Sequence, residues 1–267
     1  MKKVMGVSLL LILAALCVML LGLRSQGESA AGIQRPVLLL TQRDTGAYFM
    51  QLRQGILKAL EEQNCTLSAQ IVDPAAMTDV LWGGIEYSGV LIYIQDETLR
   101  RQTLRSAREQ GMPIALIDAH EEGVPSVEQD GAQYAALASG AAAKAERVIC
   151  LGGSEPLRKA AKSVLRSRWL DAQSVDPGAA SCAVMALDEE TAARLLQEKA
   201  EGQWTQPLIL VNPGEGAASW LETGHVHAVV LPSPYATGYI AASQALWNKN
   251  GQGYRAPAFV VTPENMY

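Results

Sequence analysis

The sequence predicts an α/β protein of two doubly wound parallel-sheet lobes joined by a hinge, preceded by an N-terminal transmembrane or signal helix. Three observations predict it. From residue 35 onward, short apolar runs alternate with amphipathic helical stretches, the pattern of parallel strands covered by helices on both faces. The strands are too many for one comfortable sheet, so two stacked lobes fit better than a single wide one. Residues 4–23 carry no charge and follow Met1-Lys2-Lys3, which marks a membrane-targeting element.

Each element has its own local reason. An apolar run at residues 37–40 stops at a polar loop, residues 41–46, and a helix follows. In it Phe49, Leu52, Ile56, Ala59 and Leu60 recur at three- and four-residue spacing, with Gln51, Arg53, Gln54, Lys58 and Glu61 between them. Asp44 or Thr45 suits its N-cap. Residues 67–72 read as a strand, 75–82 as a short helix, and 89–94 (GVLIYI) as a buried strand. A helix at 96–110 turns Leu99, Leu104 and Ala107 inward, and the strand at 113–117 (PIALI) ends at Asp118. An alanine-rich helix at 133–145 leads to a strand at 147–151 (RVICL) and a helix with a basic outer face at 157–169. Then come a strand at 182–186, a helix at 189–201, a strand at 208–211 and a helix at 217–222. A strand at 228–231, a helix at 235–247 and a last strand at 259–262 complete the alternation.

The uncharged run at 4–23 is close to the roughly 20 residues a spanning helix needs. The basic side is N-terminal, so the bulk of the chain is exported. An uncleaved anchor and a cleaved signal peptide both stay open, since small-residue sites occur at Ser25-Gln26-Gly27 and Ser29-Ala30-Ala31. Cys17 makes a poor lipidation site, because Leu16 is large and apolar sequence continues past it. Residues 25–34 form a polar linker. Cys150 and Cys182 are read either as small buried hydrophobes or, in an exported chain, as a disulfide.

Composition and motifs exclude several function classes. With a net charge of −5 and no basic stripe, nucleic acid is not a partner. Gly214-x-Gly216-x-x-Ser219 sits where a dinucleotide fingerprint would, but its third glycine is missing. His225-x-His227 puts two imidazoles on one strand face without a third ligand, so neither a metal nor a cofactor is expected. There is no Gly-x-Ser-x-Gly and no assembled triad among three histidines, so the chain reads as no enzyme. The helix face of Arg158, Lys159, Lys162, Arg166 and Arg168 reads as solvated.

The ordered segments LLLTQRDTGAYFMQLRQGILKALEEQ, GVLIYI with GMPIALIDA, SVEQDGAQYAALASG, PSPYATGYIAASQALWN and FVVTPENM resemble the type 1 periplasmic binding proteins. These are the ribose- and galactose-binding family, whose fold also forms the effector domain of repressors such as the lactose repressor. The absence of a helix-turn-helix segment argues against a repressor. The resemblance implies an N-terminal lobe of residues 35–128 plus 233–258 and a C-terminal lobe of 129–232 plus 259–267, following the segment 1–24 and the linker.

The resemblance also implies a ligand set, which this chain keeps in part. Tyr48 and Phe49 take the places of the aromatics that stack on a sugar. Asp118 takes that of the aspartate gripping sugar hydroxyls, but the arginine that usually follows is Ala119. Ala160 stands at a further arginine position, with Arg158 half a turn away; Asp188-Glu189 replaces an asparagine–aspartate pair. A terminal aspartate is Asn212 or Pro213, the hinge glutamine is Pro232, and the stretch between Trp169 and Cys182 is about one helix short. Each candidate also has a structural reading. Phe49 is in phase with the apolar stripe, Asp188 suits a helix cap, Asn212 before Pro213 is a turn signal, and Arg43 and Asp44 suit a surface ion pair.

The leading expectation is thus an extracytoplasmic, membrane-tethered bacterial solute-binding protein. It captures a small polar, sugar-like ligand for an ABC importer by hinge closure through Arg43, Asp44, Tyr48, Phe49, Asp118, Arg158, Asp188 and Asn212. The alternative is a structural or signalling module of the same fold with a decayed pocket, docked to a membrane sensor or permease.

Overall fold

The computed structural model describes residues 35–42, 46–72, 84–172, 174–175, 181–214 and 217–266. The uncharged run at 4–23, the linker, the helix expected at 75–82, Arg43 and Asp44 lie outside the described residues. Among the described residues no helix is long and apolar enough to cross a membrane. All the elements below belong to one compact unit, Pro36–Tyr267.

Among the described residues two six-stranded sheets carry the fold. The first is built from β1 (Val37–Thr41), β2 (Leu67–Ile71), β3 (Gly89–Tyr93), β4 (Ile114–Ile117), β5 (Ser126–Gln129) and β11 (Gly253–Ala256), in the order β11-β5-β4-β3-β1-β2. Every neighbouring pair is parallel. The second contains β6 (Arg147–Leu151), β7 (Trp169–Asp171), β8 (Cys182–Ala186), β9 (Leu208–Val211), β10 (Ala228–Pro232) and β12 (Ala258–Val261), in the order β12-β10-β9-β8-β6-β7. It is parallel except at its edge, where β12 runs antiparallel to β10. Central strands such as β1, β8 and β9 are buried along their whole length, as both faces of each sheet are covered.

The helices are α1 (Ala47–Glu62), α2 (Glu97–Glu109), α3 (Gly131–Ala141), α4 (Glu155–Leu165), α5 (Glu189–Ala200), α6 (Ala217–Glu222) and α7 (Pro234–Ile240). On one face of the first sheet, Phe49, Leu52, Ile56 and Leu60 of α1 pack with Leu39, Leu91 and Ile117; on the other, Leu99 and Leu104 of α2 pack with Leu38, Leu40 and Ile92. The second sheet is covered in the same way, by α3 and α4 on one face and α5 and α6 on the other. α1 and α7 touch backbone to backbone. A methyl group at Gly55 would overlap the carbonyl of Tyr235, and one at Gly238 would overlap that of Leu52.

Some elements differ from the sequence reading. The helix expected at 157–169 ends at Leu165, where Arg166 takes a left-handed φ of 52°. A 3-10 turn, Arg166–Arg168, follows, and Trp169 then opens edge strand β7 beside Val148. The helix expected at 235–247 relaxes after Ile240 into a π turn, Ala241–Ala245, whose alanines Ala241, Ala242 and Ala245 are buried. β5, β7 and β11 were not anticipated. Cys150 and Cys182 are both free and buried. They lie on neighbouring strands, but Cys150 stands opposite Met185 and Cys182 opposite Arg147. That offset of three residues is too far for a bridge.

Chain crossings between the sheets occur after β5, after β10 and between β11 and β12. The last needs only Pro257, which separates Ala256 from Ala258.

Candidate functional site

A cleft of about 760 Å³ opens where the carboxyl ends of the two sheets face each other, the place where open α/β sheets hold ligands. The first lobe contributes Tyr48 from the start of α1, Tyr93 and Gln95 from the end of β3, Asp118, Ala119 and His120 after β4, and Glu128 and Gln129 from β5. The second contributes Ser154 and Pro156 at the start of α4 and Asn212 after β9. The volume falls within the usual 300–1,000 Å³ of small-molecule sites. A smaller cavity of about 420 Å³ continues from Glu128, Gln129, Ser154 and Pro156 to Tyr134 and Arg255.

Asp118 anchors the floor. Its backbone sits at φ 53°, a left-handed conformation that turns the chain sharply off β4. Its N–H donates to the Val127 carbonyl at 2.8 Å. The Tyr48 hydroxyl donates to Oδ2, while Oδ1 is buried with no hydrogen-bond partner among the described residues. Burial pushes the Asp118 carboxyl up to about 6, and the hydrogen bond from Tyr48 and the proximity of Gln129 oppose that rise. Burial, followed by the adjacent Asp118 charge, drives the Tyr48 phenol well above its ordinary range. The ring of Tyr93 stacks on both Tyr48 and Phe49, with centroids 6.1 and 6.3 Å apart.

Glu128 is the second carboxylate, and it is well matched. Ser126 Oγ donates to Oε1 at 2.6 Å, His120 Nδ1 lies 2.8 Å from the same oxygen, and Arg255 Nη1 donates to Oε2 at 3.1 Å. Burial alone would raise its pKa, but the Ser126 and His120 contacts and the Arg255 charge outweigh it and hold the carboxyl below its usual range. The contact also ties β5 to β11, the two strands that run from the first lobe toward the second. Among the described residues no group of three or more His, Cys, Asp or Glu is placed to hold a metal ion.

Of the residues expected from the sequence, Tyr48, Asp118 and Asn212 line this one cleft. Three others make structural contacts. Phe49 is only 5% exposed and belongs to the first lobe's core, because it shares a helix face with Leu52 and Ile56. Arg158 donates to the Gly152 carbonyl at 3.1 Å and lies 5.6 Å over the Trp169 ring. Asp188 caps α5, accepting from Thr191 N–H at 2.7 Å, and its other oxygen accepts from Gly153 N–H. Burial would raise the Asp188 carboxyl, but those two backbone donors hold it below its ordinary value. The sequence reading missed Tyr93, Gln95, His120, Glu128, Gln129, Ser154 and Pro156. The available signal was position: Tyr93, Gln95 and His120 stand within three residues of the carboxyl end of a strand.

No family model and no curated protein sequence matches the chain. Solved structures do. The chain is similar to AraP, an arabinose-binding protein from Geobacillus stearothermophilus, with a TM-score of 0.71 at 13% identity over 87% of this chain and 98% of that one. It is similar to a periplasmic ribose ABC transporter structure from Conexibacter woesei, with a TM-score of 0.69 at 16% identity over 87% of this chain and 93% of that one. It also matches the XylFII-LytSN complex, with a TM-score of 0.60 at 18% identity over 87% of this chain and 99% of that one. At these identities the likeness is one of fold, and the fold is that of the type 1 periplasmic binding proteins.

Proposed function

We propose that this protein is an exported solute-binding protein that captures a small polar, sugar-like ligand between its two lobes and presents it to an ABC importer. The observation that carries the reading is the cleft of about 760 Å³, where Tyr48 and Asp118 of one lobe face Asn212 of the other. An aromatic ring beside a carboxylate and amides suits a ligand with an apolar face and a hydroxylated rim. Structures named for arabinose and ribose share the fold, which supports the ligand class. Closure bends the three crossings, after Gln129, after Pro232 and at Pro257. The run at 4–23 tethers the protein to the outer face of the cytoplasmic membrane, which raises its effective concentration at the permease.

A second reading has its own support. Arg158 and Asp188 hold structural posts, Ala119 stands where an arginine is expected, and a match of the same fold is the XylFII-LytSN complex. In that reading the chain docks a membrane sensor or permease with an empty pocket. Thermal unfolding of the protein against pentoses, hexoses, polyols, nucleosides and amino acids separates the two. A ligand at a hundred times its Kd stabilises by about 2.7 kcal/mol, a rise of several degrees. A rise with one ligand class that disappears in Asp118→Ala supports the receptor. A flat response across the panel supports the docking module.

A further inference from the structure

The charges of the cleft do not balance, and the imbalance is local to Asp118. Glu128 is met by Arg255 and by the His120 ring, with Ser126 completing its shell. Asp118 accepts from the Tyr48 hydroxyl and has the neutral Gln129 amide beside it, and its Oδ1 is buried without a hydrogen-bond partner among the described residues. Among the described residues, the titratable or polar groups that reach it are Tyr48 from α1, Gln129 from β5 and Tyr134 from α3, and none of them is a cation. Tyr134 senses the same bare charge: burial, then Asp118, holds its phenol proton above the ordinary range. Two arginines of the second lobe are engaged elsewhere, Arg158 with Gly152 and Trp169, Arg168 with the Ala142 and Ser139 carbonyls. A buried carboxylate without a counter-charge is destabilising unless something supplies one.

We infer that the ligand supplies it: a small polar molecule bearing a protonated amine, an amino sugar being the chemistry that best fits, with its ammonium group on Asp118 and its apolar face against the Tyr48 ring. This rests on reading the cleft as a ligand site. Three features favour the amine over a neutral sugar. An ammonium satisfies both the charge and the acceptor capacity of Asp118, whereas a hydroxyl satisfies only the second. Tyr48 and Tyr93, stacked with centroids 6.1 Å apart, both line the cleft and bring aromatic surface to a bound cation. Gln95, Ser154 and Asn212 are neutral and serve the remaining hydroxyls. The Ala119 position then makes sense, since an arginine beside Asp118 would repel such a ligand.

The test is calorimetric titration of the full-length chain in detergent at pH 7.5 with glucosamine and galactosamine, their neutral parents glucose and galactose, and their N-acetyl derivatives. The expected result is that at least one amine binds about tenfold or more tightly than its parent and its acetylated form. That preference should fall to within about twofold in Asp118→Asn, which keeps the Tyr48 hydrogen bond while removing the charge. A neutral sugar that binds as tightly as its amine, or a preference that survives Asp118→Asn, overturns the inference and leaves the receptor reading standing. Silence from every amine and every neutral sugar overturns the inference and counts against the receptor reading as well.

Discussion

The Tyr48 hydroxyl donates to Oδ2 of Asp118 across 70 residues of sequence. The contact fastens the first turn of α1 to the sharp turn that leaves β4. It fixes the relative placement of an aromatic ring on a helix and a carboxylate on the turn after a strand. It also keeps a buried acid ionised more readily than burial alone would allow.

Tyr48→Phe removes that donor and nothing else of the ring. Leaving a part-buried carboxylate oxygen unpaired costs about 1–3 kcal/mol, which chemical denaturation will read. The same variant should shift the Asp118 carboxyl further upward, since the lost hydrogen bond was opposing burial. A carbon-detected NMR titration of the carboxyl resonance follows that shift directly.

Asp118 also sets a pH dependence of defined sign. Burial raises its carboxyl from 3.8 to about 6 in the folded state. The folded state therefore binds the proton more tightly than the unfolded one between those values. This group's contribution to stability is complete below about pH 4 and is lost as pH rises through about 6. Asp118→Asn removes the dependence. At pH 7.5 the variant should be more stable than the parent by at most about 3 kcal/mol, and the gap should close below pH 4. A gap that widens in acid would contradict the burial argument.

Asp188 should behave in the opposite way. Asp188→Ala removes the cap of α5 and the tie to Gly153, at a cost of about 1–2 kcal/mol. Its carboxyl lies below the ordinary value, so its stabilisation is present above about pH 4 and fades only as pH falls further. Ligand affinity in the cleft should not change. A loss of affinity without a loss of stability would return Asp188 to the ligand set.

The α1–α7 contact should be intolerant of a single methyl group. Gly55→Ala meets the Tyr235 carbonyl and Gly238→Ala meets the Leu52 carbonyl, neither of which can yield without moving a helix. Overpacking of this kind costs about 1–3 kcal/mol. Denaturant midpoints of the two variants measure it.

These relationships were unevenly legible in the sequence. β1, β3, β6, β8, β9 and β10 are apolar runs because both sheet faces are covered, and such runs announce themselves. β5 (SVEQ), β7 (WLD) and β11 (GYRA) are short and partly polar, and they are strands because a neighbour pairs with them, which periodicity does not show. Tyr48 and Asp118 were readable because each follows an apolar run at the edge of the crevice. Phe49, expected in the ligand set though in phase with Leu52 and Ile56, is buried with them in the first lobe's core. The Glu128–His120–Arg255 cluster was invisible, since it depends on β5 lying between β4 and β11. Arg158, expected in the ligand set, has its side chain turned to Gly152 and Trp169 by the helix that carries it.

A ligand held between Asp118 and Asn212 is expected to draw the two lobes together. Small-angle X-ray scattering of the protein, with and without a solute that shifts its unfolding temperature, measures that most directly. The expected result is a smaller radius of gyration in the bound state, absent in Asp118→Ala. An unchanged scattering profile at saturating ligand would contradict the account.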